Sequence, residues 1–280
     1  MSHEYFYCKS ILLSIAAFCI FWQHNVSAEL ILTAPPRELP AAGEKLYGPL
    51  AEHLTNILGK NVVYKHPQNW LQYQRDLRKD VYDIIFDGPH FASWRIEHLN
   101  HDVLLKLPGT LQFVIVINSD DKEIETLNDL IGKKICGIPP PNLATLTVIE
   151  QFQHPVRQPV IWGVKGGFMQ VFRSFGAREC RAAVLREVFY EKILSAQDRA
   201  GTHILYKSKP FPNQAISVSS RVDNTSKRKI ILSLTEGKGL DFAAPVVRRF
   251  TGKKSQSFIK ANNKEYLSFN KLLEGIIYGW

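Results

Sequence analysis

The stretch Asp80-Val-Tyr-Asp-Ile-Ile-Phe-Asp-Gly-Pro-His-Phe-Ala-Ser-Trp94 decides the fold class of this 280-residue chain. Ile84, Ile85 and Phe86 make a short, continuously apolar strand, and Gly88-Pro89 turns the chain directly into a helix. Proline suits the first helical position, where an N–H would have no intrahelical partner anyway. The unpaired N–H groups of that first turn face the space beyond the strand end, which is where open α/β sheets bind ligands.

Outward from this point, strand and helix patterns alternate. Leu30-Ile-Leu32 reads as a strand, Leu50, Leu54, Ile57 and Leu58 as a helical stripe stopped by Gly59, and Val62-Val-Tyr64 as the next strand. Trp70 to Lys79 and Phe91 to Leu99 read as helices, and Val103 to Leu107 as a strand. This is βαβ construction, and it predicts an α/β fold with parallel sheets. After Pro108-Gly109, Gln112 to Ile117 is a continuous apolar strand that leads into new βα units from Thr126 to Tyr206. Ala215 to Val218 follows Pro210 and Pro212 and precedes a tail with helices near 226–234, 242–250 and 264–277. These two apolar strands are expected to cross between two lobes, residues 29–111 with 215–280 and residues 112–214. No internal repeat or low-complexity tract occurs.

Lys9 precedes an apolar stretch from Ile11 to Trp22, and Val26-Ser27-Ala28 supplies a small-x-small cleavage site. The stretch is too short to span a bilayer, so residues 1–28 read as a secretory signal peptide and the protein is expected in the periplasm; an uncleaved anchor is the alternative. Cys19 follows Phe18 rather than a small residue, which argues against a lipid anchor. Lys9 and Glu4 cancel within this leader, so the remaining chain keeps the formal net charge of +9. That balance suits an anionic ligand or surface, and it also favours solubility. Nucleic acid is not an expected partner, because no basic cluster is interleaved with aromatic residues. A monomer is expected.

Beyond the leader only Cys136 and Cys180 remain. In an oxidising compartment an even pair without Cys-x-x-Cys spacing reads first as one disulfide. The two cysteines open apolar runs, Lys134-Ile-Cys-Gly-Ile138 and Glu179-Cys-Arg-Ala-Ala-Val-Leu185, that look like neighbouring parallel strands. Two separate buried thiols, or two ligands of a soft metal or metalloid, are the alternatives. No Gly-x-Ser-x-Gly elbow, Walker loop or His-Glu-x-x-His occurs. Gly163-Val-Lys-Gly-Gly167 lacks nucleotide-loop spacing and fits a strand-to-helix turn. His98 and His101 share a helical face without a third ligand and are expected at the surface. The chain is expected to be no enzyme and to use no cofactor.

Pro35-Pro36 after the first strand, Tyr47-Gly-Pro-Leu-Ala-Glu-His-Leu54, Tyr82-Asp-Ile-Ile-Phe-Asp-Gly-Pro89 and Leu127-Asn-Asp-Leu-Ile-Gly-Lys-Lys134, in that order, resemble the phosphonate-binding family of periplasmic solute-binding proteins. The resemblance runs from about Leu30 to Trp280. It implies a type II architecture, with two α/β lobes, two crossover strands and a ligand clamped in the cleft between them. It further implies a receptor that hands a small oxyanion, such as phosphate, phosphite or a phosphonate, to an ABC permease. A periplasmic sensing subunit that reports its ligand to a membrane kinase would need the same cleft. One departure stands out. Family members carry a Ser/Thr-rich, Gly-containing loop at the first helix of the second lobe, whereas Pro139-Pro-Pro-Asn-Leu-Ala-Thr-Leu-Thr147 stands here, leaving Asn142 to cap the helix and Thr145 to donate from its first turn.

Strand ends nominate the binding residues: Arg37, Trp70, His90 and Phe91 from the first lobe, and Asn142, Thr145, Gly167 and Arg186 from the second. Arg37 or Arg186 can grip an oxyanion through two parallel hydrogen bonds, or be a solvated surface charge. Trp70 and Phe91 can wall the cleft or belong to the core. His90 can be a ligand contact, a capping group or a core residue, and Asn142, Thr145 and Gly167 can be plain capping and turn residues.

Overall fold

Alternating strands and helices open the described chain, which comprises residues 29–152, 154, 156–252 and 256–275 of the computed structural model. The proposed leader lies outside these residues. β1 (Leu30–Thr33) leads through α1 (Pro40–Leu58) to β2 (Val62–Tyr64), followed by α2 (Trp70–Arg78), β3 (Ile84–Asp87), α3 (Pro89–Leu99) and β4 (Asp102–Lys106). All four residues of β3 are buried, and they split between two faces. Ile84 and Phe86 pack into a cluster with Leu50 and Leu54 of α1, while Ile85 packs on the opposite side with Tyr73 and Phe91. Each such side chain contributes roughly 1.5–3 kcal/mol by leaving water.

The chain then crosses through a two-residue strand, β5 (Thr110–Leu111), into β6 (Phe113–Asn118), β7 (Lys134–Gly137), α4 (Leu143–Ile149), β8 (Val160–Gly163), α5 (Phe168–Gly176), β9 (Ala182–Arg186), α6 (Glu187–Lys192), α7 (Ala196–Arg199) and β10 (Thr202–Lys207). It returns through β11 (Phe211–Pro212) to β12 (Ala215–Val218), α8 (Asn224–Thr235), α9 (Gly239–Thr251), β13 (Ile259–Lys260) and α10 (Lys271–Glu274). Two principal sheets result, ordered β13-β4-β12-β3-β1-β2 and β10-β6-β9-β7-β8. β1 is parallel to β2 and β3, and β7 is parallel to β8 and β9. The strand that follows each crossing inserts antiparallel into the sheet it enters: β6 between β10 and β9, and β12 between β3 and β4. This is the two-lobed, type II α/β architecture.

The runs 112–117 and 215–218 are therefore central strands, and the crossing itself is made by β5 and β11, which pair antiparallel just ahead of them. A continuous apolar run is what burial on both faces of a sheet demands. Pro210 and Pro212 withhold N–H donors, which keeps the crossing ribbon short. Behind it, one apolar cluster runs through both lobes, joining Ile85 and Phe91 to Ile115, Ile135, Leu146 and Val184 by way of Leu111, Phe211, Leu272 and Leu273.

Two further expectations change. Asn100 takes a left-handed conformation at φ 53° and ends α3, so His101 leaves the helix. His101 is buried, with Nε2 2.7 Å from Asp80 Oδ1, whereas His98 does lie exposed, beside Glu274. The helix expected near 264–277 is a single 3-10 turn over Asn263–Tyr266 followed by the short α10, because the Asn262–Glu265 capping box starts a turn that Ser268, at φ 71°, interrupts; residues beyond 275 lie outside the described ones. The cysteine expectation holds. Cys136 and Cys180 form a disulfide with Cα atoms 5.6 Å apart, linking β7 to the bend just ahead of its parallel neighbour β9. No helix among the described residues is long and apolar enough to cross a membrane.

Candidate functional site

Each nominated residue lies at the carboxyl end of a strand or in the loop or helix that follows one. Arg37 follows β1, Trp70 opens α2 after β2, and His90 and Phe91 lie in the first turn of α3 after β3. In the second lobe Asn142 caps α4, Thr145 sits in its first turn, Gly167 caps α5 and Arg186 ends β9. Two hydrogen bonds tie residues of one set to the other lobe. His90 Nε2 lies 3.0 Å from the Pro141 carbonyl oxygen, and Arg186 Nη1 donates to the Phe250 carbonyl at 3.4 Å.

The first-lobe turn is built around Gly88 and Asp87. A Cβ on Gly88 would stand 2.8 Å from the His90 ring, so glycine alone lets the imidazole fold over the turn. Asp87 is fully buried and takes both terminal nitrogens of Arg95 at 2.7 Å each. The Tyr73 hydroxyl donates to the same carboxylate, and Arg95 also donates to Ser217 Oγ at 2.8 Å on β12. Burial pushes the His90 pKa down to about 4, so at neutral pH the ring is uncharged and donates its Nε2 proton to Pro141. Its Nδ1 is buried with no hydrogen-bond partner. Phe91 is 1% exposed and belongs to the core, packed edge-on against Tyr73 and stacked 6.2 Å from Trp70. Trp70 itself is half-buried.

The two nominated arginines meet at one residue that local pattern did not suggest. Phe250, on the last turn of α9, has the Arg37 guanidinium 5.5 Å from its ring centroid and the Arg249 guanidinium 5.2 Å from it. Arg249 also pairs with Glu38 at 2.9 Å. Arg37 Nη1 and Arg186 Nε are both buried without a hydrogen-bond partner. Burial lowers the Arg186 pKa, but a guanidinium keeps its charge in a protein. Glu38 could have been suspected from its place beside Arg37. Arg249 and Phe250 carry no local signal, since only the return of α9 to the first lobe brings them to the cleft.

Other nominated groups are taken up locally. The Thr145 hydroxyl donates to the Ile138 carbonyl at 2.6 Å, and the Asn142 side chain accepts from Ala144 N at 3.0 Å. Gly167 adopts φ 85° with nothing within 4 Å of a Cβ position, which is the signature of a turn residue before α5. A cavity of about 410 Å³ opens at the opposite, amino-terminal ends of β1 and β3, but its charges are paired: Arg221 with Asp80 and Asp83, Lys60 with Asp223, and Glu29 with Lys65. Among the described residues, no cluster of three or more His, Cys, Asp or Glu is placed to hold a metal ion.

Among solved structures, the fold is similar to a binding-protein component of an ABC phosphonate transporter from Pseudomonas aeruginosa, with TM-score 0.59, 12% identity, and coverage of 88% of this chain and 85% of that one. PhnD1 from Prochlorococcus marinus, solved with methylphosphonate, gives TM-score 0.61 at 14% identity over 90% of this chain and 98% of that one. A Xanthomonas citri protein solved with ATP gives TM-score 0.68 at 13% identity over 89% and 97%. A search among curated proteins gives no match. The sequence itself matches the family described as ABC transporter, phosphonate, periplasmic substrate-binding protein over residues 32–266. That match spans most of the chain, and it makes this a member of the periplasmic substrate-binding family of phosphonate ABC transporters, a binding protein and not an enzyme.

Proposed function

We propose that this protein is a periplasmic receptor that clamps a small oxyanion, phosphate or phosphonate in kind, between its lobes and delivers it to an ABC permease. The lobes are residues 29–111 with 215–280 and residues 112–214, hinged where β5 pairs with β11. One observation carries this reading: Arg37 from the first lobe and Arg186 from the second each hold a buried, unpaired N–H beside Phe250. A buried donor left unpaired costs about 1–3 kcal/mol, and more when charged. The oxygens of a phosphate or phosphonate are the natural acceptors, and they would draw both lobes onto one ligand. His90 and the half-buried Trp70 then wall the site on the first-lobe side.

Thermal shift with phosphate, phosphite, methylphosphonate and sulfate tests the reading. A ligand at a hundredfold excess over its dissociation constant stabilises by about 2.7 kcal/mol, which for a chain of this size is roughly 5–10 °C in Tm. Arg37→Ala and Arg186→Ala should each reduce the shift. If no oxyanion moves the melting temperature of the unaltered protein, the reading is wrong.

A further inference from the structure

We infer that the site demands a second negative charge on its ligand and rejects one that bears an ammonium group. This rests on the oxyanion reading above. Three guanidiniums, those of Arg37, Arg186 and Arg249, gather at Phe250. The carboxylates nearby are already engaged. Glu38 pairs with Arg249, Asp87 is held by both terminal nitrogens of Arg95, and Glu187, next to Arg186, pairs with Lys207. Glu44 is exposed. His90 adds no charge at neutral pH, and burial raises the hydroxyls of Tyr47 and Tyr73 well above the usual phenol range, so both stay protonated.

Arg37 and Arg186, half-buried residues that each keep one buried, unpartnered nitrogen, are thus left as two positive charges without a carboxylate partner. A monoanion can neutralise one of them; a dianion neutralises both. A ligand carrying an ammonium group would add a third positive charge beside these guanidiniums, where Glu38 is already ion-paired with Arg249 at 2.9 Å.

Isothermal titration calorimetry with two matched pairs of probes tests this, at a pH where the phosphonates are doubly ionised. Methylphosphonate and methanesulfonate share size and tetrahedral oxygens but differ by one charge. Ethylphosphonate and 2-aminoethylphosphonate differ by the ammonium group. A charge-assisted hydrogen bond is worth about 1.5–3 kcal/mol, so methylphosphonate should bind about 10- to 100-fold more tightly than methanesulfonate. The aminoethyl compound should bind at least about tenfold more weakly than ethylphosphonate. Arg186→Gln and Arg37→Gln should each bring the methylphosphonate preference toward unity, and this ratio is read on folded protein, whatever a variant does to yield. Methanesulfonate binding as tightly as methylphosphonate, an aminoethyl compound binding as well as ethylphosphonate, or a ratio unchanged in both glutamine variants would overturn the inference while leaving the oxyanion reading standing. If none of the four probes, nor phosphate, binds the unaltered protein, both fall together.

Discussion

Replacing Arg95 by methionine removes the group that holds Asp87, and with it the Gly88-Pro89 turn of the first lobe. Arg95 is 1% exposed and Asp87 is fully buried, and the pair is bidentate at 2.7 Å. Methionine keeps much of the apolar volume but leaves the Asp87 carboxylate with Tyr73 as its remaining donor, and it also releases Ser217 Oγ. Breaking a buried pair by removing one partner costs about 3–5 kcal/mol, because the surviving charge stays desolvated. For a chain of this size each kcal/mol is about 2–4 °C, so Arg95→Met should lower Tm by roughly 6–20 °C in a circular-dichroism melt at pH 7. The double variant Asp87→Asn/Arg95→Met removes both charges and should recover part of that loss, the excess over additivity measuring the pair itself. Asp87 directly precedes Gly88-Pro89-His90, so the single variant should weaken oxyanion binding as well. A loss of less than about 2 °C, or a double variant no more stable than the single, would refute the claim that this pair holds the turn.

Cys136→Ser/Cys180→Ser, which opens a link between residues 44 apart, should lose about 4 kcal/mol by the chain-entropy account, read as a lower urea midpoint; an unchanged midpoint contradicts it. Burial is the largest cause holding His90 and His101 below the ordinary histidine value of 6.5, so the unfolded chain takes up their protons first on acidification. The stability that depends on their neutrality is complete above about pH 6.5 and is lost as pH falls toward about 4, the value reached by His90. His101→Gln should flatten Tm against pH across that window, and a parent profile already flat there would sink the argument. Mass spectrometry of periplasmic protein should find Glu29 at the amino terminus; retention of Met1 would contradict export by cleavage of residues 1–28.

Period alone determined that β1 to β4 and α1 to α3 alternate as βαβ units, because an apolar face repeating every two or every 3.6 residues shows in any short window. The Gly88-Pro89 turn was legible for the same reason: proline and glycine act on the backbone where they stand. The pairing of Cys136 with Cys180 could be anticipated too, since each opens an apolar run and those runs became the neighbouring strands β7 and β9. What adjacency in sequence could not supply was partnership across distance. Whether 112–117 crossed between lobes or filled a sheet depended on β9 and β10 arriving on either side of it. Thr145 was nominated as a donor, yet its hydroxyl is taken by Ile138 O once β7 and α4 pack together. The meeting of Arg37, Arg186 and Arg249 at Phe250 exists only because α9 returns to the first lobe and the end of β9 brings Arg186 to the Phe250 carbonyl. Local chemistry set which segments could be strands, helices and turns; charge and hydrogen-bond complementarity at the cleft, being a sum over residues far apart in the chain, was decided by the tertiary structure.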